Sequence, residues 1–70
     1  MSNLYISYHV NGKINYANYI VIPYKTPLDK ITPEDIYKFE IAVVEHLKQD
    51  PVFEEVRQHH IAIMGWHRVE

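Results

Sequence analysis

HHIAIMGWHRV, residues 59–69, is the stretch on which the reading of this chain turns. Ile61 and Ile63 alternate with Ala62, Met64 and Trp66, the period-two pattern of a strand with one buried side. Isoleucine prefers burial more strongly than histidine or arginine. Ile61 and Ile63 therefore face a core, and His60, Met64, Trp66 and Arg68 are expected on the opposite face. The competing reading turns the strand over, so that Met64 and Trp66 fill the core and the isoleucines meet water.

Upstream, DPVFEEVRQ (residues 50–58) reads as a short helical turn with Asp50 as cap and Pro51 at the first position. ITPEDI (residues 31–36) opens a longer helix. Thr32 is its N-cap, Pro33 sits at N1, Asp35 completes a variant capping box, and Ile31 and Ile36 hold the staple positions. The helix is expected to run to about Gln49. Ile36, Phe39, Val43, Val44 and Leu47 form its apolar stripe, Tyr37 borders it, and Lys38, Glu45 and Gln49 lie opposite. Glu40 falls inside that stripe. A buried carboxylate needs a partner, and a core-facing Tyr8 or Tyr16 hydroxyl is the expected one.

The first half of the chain reads as a hairpin. LYISYHV (residues 4–10) alternates, Asn11-Gly12 is a strong turn signal, and INYANYIVI (residues 14–22) is β-like up to Pro23. A two-residue loop would set Ile6 against Ala17 and Tyr8 against Asn15. A three-residue loop with Gly12 as a left-handed bulge residue pairs His9 with Lys13, Tyr8 with Ile14 and Ile6 with Tyr16, a better match of apolar faces. The core face then holds Leu4, Ile6, Tyr8, Ile14, Tyr16, Ile20 and Ile22. Its reverse carries Tyr5, Ser7, His9, Lys13, Asn15, Ala17, Tyr19 and Val21.

Together these elements predict one α+β domain over residues 1–70, ordered β-β-α-β. A three-stranded antiparallel sheet of order 2-1-3 carries one main helix on one face, with a short helical turn before the last strand. A helix returning from the second strand makes the third parallel to it, hence beside the first, through a right-handed crossover. One helix covers one side of such a sheet. The other side stays open and is expected to gather Tyr5, His9, Tyr19, His60, Met64, Trp66 and Arg68 as a partner-binding surface.

Composition narrows the function. Seventy residues supply one small core, for which oligomerisation is a common support. The absence of cysteine removes disulfides and thiolate zinc sites. Nine acidic and seven basic residues give a net charge of −2 with no basic block, so phosphate-driven nucleic-acid binding is not expected. Stacking of single-stranded nucleic acid on Tyr5, Tyr19 and Trp66 remains a minor alternative, with only Lys13 and Arg68 to meet phosphates. No apolar run is long enough for a bilayer, and MSNLYISYHV lacks a signal-peptide pattern, which implies a cytoplasmic protein.

Enzymatic signatures are weak. His9 with His60, or Glu55 with His59 at helical spacing, gives no recognised metal-ligand pattern, and neighbouring His59 and His60 on a strand would point apart. The hydroxyls of Ser2, Ser7, Thr26 and Thr32 include one cap, and Ser7 near His9 lacks an acidic orienter. Gly12 and Gly65 make no phosphate loop. The expectation is a non-enzymatic binding module without cofactor or metal, most simply a homodimer. A small His/carboxylate metal-dependent protein is the other alternative.

The opening YISYHV, the ITPEDI helix start and the closing IAIMGWHRV resemble small uncharacterised proteins of bacteriophages and prophages. That resemblance implies a bacterial cytoplasmic setting and a protein that binds, and thereby inhibits, a host target.

Overall fold

The computed structural model describes residues 2–12 and 15–69. Strands β1 (Asn3–Val10), β2 (Tyr16–Pro23) and β3 (Ile61–Val69) form one antiparallel sheet in the order β2-β1-β3, and helix α1 (Pro33–Leu47) packs against it. Short 3-10 turns occupy Leu28–Lys30, Pro51–Phe53 and Gln58–His60. The expected α+β architecture, strand order and short turn before the last strand are all present.

β1 is the spine. Its residues alternate between buried and half-buried, with Leu4, Ile6, Tyr8 and Val10 turned to the helix. Against them lie Phe39, Val43, Val44 and Leu47 of α1, with Phe53, Val56, Ile20 and Ile61 completing the core. Ile31 and Ile36 both pack on its margin. α1 starts where its signals place it: Thr32 Oγ1 accepts from the Asp35 N–H at 3.3 Å, and Asp35 Oδ2 accepts from the Thr32 N–H at 2.9 Å. The helix ends at Leu47, two residues short of the expected end. Asp50 caps the next turn through its bond from the Val52 N–H at 3.0 Å.

The hairpin register departs from expectation. Ile6 faces Ile20, Leu4 faces Ile22, His9 faces Ala17 and Val10 faces Tyr16, a slip of four residues from the three-residue-loop pairing. Gly12 does not adopt a positive φ. The slip is even, so every side chain keeps its face; alternation cannot distinguish registers that differ by an even number. The observed register aligns β2 with the full length of β1, whereas the expected one would leave Ile20 and Ile22 beyond the start of β1. The expected partners Lys13 and Ile14 lie outside the described residues.

A second departure occurs in β3. Tyr8 pairs with Ile63 but Ser7 pairs with Gly65, so Met64 is an extra residue, a β-bulge. Before it Ile61 and Ile63 face the helix. Beyond it the alternation reverses, and the helix side receives Trp66 opposite Ile6 and Arg68 opposite Leu4. The expectation of Trp66 and Arg68 on the open face is corrected accordingly. Trp66 is half-buried, its ring 5.8 Å from that of Phe39. The Arg68 guanidinium donates to the Tyr24 carbonyl and, at 2.6 Å, to the Thr26 carbonyl, tying the β2–α1 connection to the last strand.

Two polar groups find unexpected situations. Glu40 accepts from the Gln58 side-chain amide, not from a tyrosine. The Tyr8 hydroxyl is buried without a hydrogen-bond partner among the described residues, and burial pushes its pKa up. Such an orphan costs about 1–3 kcal/mol.

Two outcomes are expected. Trp66→Ala should lower the unfolding free energy by about 2–3 kcal/mol in urea titration, less than a fully buried ring because Trp66 is only part-covered. The same change at His67 should cost under about 1 kcal/mol.

The second concerns the Tyr24 hydroxyl, which donates to Asp35 Oδ1. This bond, then those from Thr32, holds the Asp35 carboxyl below its ordinary 3.8, and the same Tyr24–Asp35 bond, then burial, holds the Tyr24 hydroxyl above its ordinary 10.0. A depressed carboxyl stabilises the fold above its unfolded value and loses that contribution as pH falls through the folded one. A raised phenol does so below its unfolded value and loses it as pH rises. The stability gap between wild type and Tyr24→Phe, read by urea unfolding, should therefore be widest between about pH 5 and 9 and close toward pH 2.

Candidate functional site

The open side of the sheet follows from the two registers. β1 contributes Asn3, Tyr5, Ser7 and His9. β2 places Pro23, Val21, Tyr19 and Ala17 beside them, and β3 places Val69, His67, Gly65 and Ala62. None of these positions is Asp, Glu, Lys or Arg.

A row of three rings crosses this face. The Tyr5 ring lies between those of Tyr19, at 4.8 Å and 21°, and His67, at 4.5 Å and 23°. Tyr5 and His67 are direct cross-strand partners, while Tyr19 reaches Tyr5 diagonally. Near-parallel stacking of this kind is worth about 0.5–1.5 kcal/mol per pair beyond area burial. The rings hold one another upright, so the surface is ordered before any partner arrives. Tyr19, Val21 and Met64 are exposed, at 51%, 49% and 69%.

At the other end of β1, His9 has Ala17 on one side and Ala62 on the other. Between the two ends, the Ser7 hydroxyl donates to the Gly65 carbonyl at 3.4 Å across the bulge. This engages the Ser7 hydroxyl, and no carboxylate stands on the face among the described residues. The arrangement offers aromatic and apolar contact with imidazole and amide hydrogen bonding. It does not assemble a nucleophile with an oriented base.

Of the expected site residues, Tyr5, His9 and Tyr19 lie together on this face, and Met64 is exposed at the bulge beside it. Trp66 and Arg68 are on the helix side. His60 is not in the sheet: β3 starts at Ile61, and His60 closes a 3-10 turn in which its Nδ1 accepts from the Arg57 N–H at 3.0 Å. Its ring packs on His59 at 4.1 Å, and its carbonyl accepts from the Asn11 N–H at 2.8 Å. His9 therefore pairs with Ala62 and not with His60.

His67 was missed by the sequence reading. The signal was Gly65, since a glycine inside a strand pattern marks a bulge, and a bulge reverses the faces that follow it.

A concavity of about 420 Å³ opens on the helix side, between the end of β1 and the turns that follow α1. Val10, Phe53 and Val56 floor it, with His60, Glu54 and Glu55 among its walls. Among the described residues no three His, Asp or Glu side chains come together as metal ligands would. No described helix is long and apolar enough to cross a membrane. Comparison with protein-family models, curated proteins and solved structures finds nothing that matches this chain.

The stacked row has a direct spectroscopic consequence. The His67 imidazole protons should resonate upfield from ring-current shielding by Tyr5, and Tyr5→Leu should move them back toward free-histidine positions in a proton NMR spectrum. Unchanged shifts in that variant would separate the two rings.

Proposed function

We propose that this protein acts by binding another protein through the open face of its sheet, without catalysis. The observation that carries the reading is the Tyr19–Tyr5–His67 row, an ordered aromatic band across all three strands on the side of the sheet away from α1. Tyrosine is enriched at the energetic centres of protein interfaces because it brings large contact area at low entropic cost. The neighbouring Val21 and Met64 widen the apolar patch. The likeness to small phage and prophage proteins gives the reading its sharpest form: a cytoplasmic binder that inhibits a host protein.

The nucleic-acid alternative loses ground to one contact. Arg68, expected to meet phosphates beside the rings, is spent on the Tyr24 and Thr26 carbonyls on the opposite side. An aromatic platform with no cation among the described residues of its face lacks the attraction that dominates such binding.

The test is comparative capture from bacterial lysate with wild type, Val21→Lys and Lys38→Glu. Val21 is on the open face and Lys38 is exposed on α1, so the second variant controls for surface charge. A protein retained by wild type and Lys38→Glu but reduced tenfold or more by Val21→Lys is the expected result. Equal retention by all three would remove the open face from the function.

A further inference from the structure

We propose that the cleft at the carboxy-terminal end of α1 binds a small organic ammonium ion with at least one N–H, held by the Tyr8 hydroxyl oxygen, the rings of Tyr16 and Phe53 and the Asp50 carboxylate. The site lies on the helix side of the sheet. It therefore goes beyond the docking reading of the open face and stands or falls apart from it.

The cleft has a volume of about 250 Å³. Tyr8 and Tyr16 of the hairpin line it, with Leu47 at the end of α1 and Asp50 and Phe53 beyond. Tyr8 is the first reason to expect a ligand. Its side chain is 1% exposed, and its hydroxyl has no hydrogen-bond partner among the described residues. Buried polar groups are nearly always bonded, and each exception calls for an explanation. Side chains stand roughly perpendicular to a sheet. The hydroxyl is therefore the end of Tyr8 that reaches toward the last turn of α1 and the residues after it, which share the cleft. Burial, then the neighbouring Tyr16, raises its pKa, so the phenol stays neutral and its oxygen is open to a donor. The Tyr16 hydroxyl, by contrast, accepts from Asn18 Nδ2 at 2.6 Å.

The other linings set the sign of the ligand. The carboxy-terminal end of a helix is its negative pole, and Leu47 is the last residue of α1. The Asp50 carboxylate lies just beyond it. One of its oxygens accepts from the Val52 N–H at 3.0 Å, and a carboxylate has capacity for further donors. The Tyr16 ring is 6.5 Å from that of Tyr8 and 5.1 Å from that of Phe53, at 49° and 51°. Rings tilted in this way do not spend their faces on flat stacking with one another. Those faces are electron-rich, and clustered aromatic side chains are a recurrent means of holding ammonium groups. No lysine or arginine lines the cleft among the described residues.

An anion would meet the carboxylate, the helix pole and the ring faces, all of the wrong sign. A bare metal ion would lack ligands, since no three His, Asp or Glu side chains come together among the described residues. An organic cation suits every lining group. An N–H on its head donates to the Tyr8 oxygen, the charge rests against the rings and Asp50, and a short alkyl stem packs on Leu47.

Titration of the full chain with n-butylammonium chloride at pH 8, followed by proton–nitrogen correlation NMR, tests this. At that pH an alkylamine is charged and free imidazole is neutral, which removes competition from a charged His46 at the rim. The amides of Leu47, Gln49, Asp50 and Phe53 should shift together, with a dissociation constant of about 1 mM. Tetramethylammonium, which has no N–H, should bind about tenfold more weakly, and 1-butanol and butyrate should leave these amides in place. Tyr8→Phe keeps the ring and should cost about tenfold in affinity with unchanged circular dichroism. Asp50→Asn keeps a capping oxygen and should cost about threefold. No shift at these amides up to about 50 mM butylammonium, or equal shifts with butyrate, overturns the site. Binding indifferent to both Tyr8→Phe and Asp50→Asn does the same. Tetramethylammonium bound as tightly as butylammonium overturns the part given to the Tyr8 hydroxyl. Val21→Lys, on the opposite side of the sheet, should leave the affinity unaltered, so loss of lysate capture and loss of amine binding report on different surfaces.

Discussion

β3 has one residue more than the stretch of β1 it pairs with, and that residue, Met64, sets the character of both faces. On the near side of the bulge, Ile61 and Ile63 point to the helix. On the far side Trp66 and Arg68 do. Without the reversal Trp66 would leave Phe39, the guanidinium would lose the two carbonyls it binds, and His67 would leave the ring row. A β-bulge breaks ladder pairing locally and adds twist. Here it gives the helix side an indole and a guanidinium from a strand whose strict alternation would have offered it Gly65 and His67.

This explains why two opposed readings of the last strand are each half right. Burial of Ile61 and Ile63 and burial of Trp66 look exclusive only for an unbroken strand. Other parts were plain in the sequence because their chemistry is local. Thr32, Pro33 and Asp35 mark a helix start by hydrogen bonding within four residues, and Asp50 with Pro51 does the same for a shorter turn. Strand order followed from connection geometry. Register was not legible, because a shift by an even number of residues leaves every face unchanged. Nor was the partner of Glu40, since Gln58 is eighteen residues away and only tertiary packing brings its amide across.

The candidate site divides along the same line. Tyr5, His9 and Tyr19 belong to strands without a bulge, and their face was readable by parity alone. His67 lies beyond the bulge and was hidden by it. His60 looked like a strand residue because it adjoins one, yet the Arg57 N–H bond draws its ring into a turn. What emerges is a division of labour between sides. The helix side spends its tryptophan, arginine and phenylalanines on cohesion, and the open side keeps tyrosine and histidine rings that satisfy one another without filling any core.

The central position of β1 also governs how the molecule is made. Asn3 lies beside Val69, so the central strand waits for a partner far along the sequence before its ladder is complete. A two-stranded ribbon is marginal in water on its own, and contacts this distant along a chain slow folding. Leu4, Ile6, Tyr8 and Val10 therefore lack one flank of their sheet until β3 docks. Assembly is expected as a single cooperative event that the docking of β3 completes.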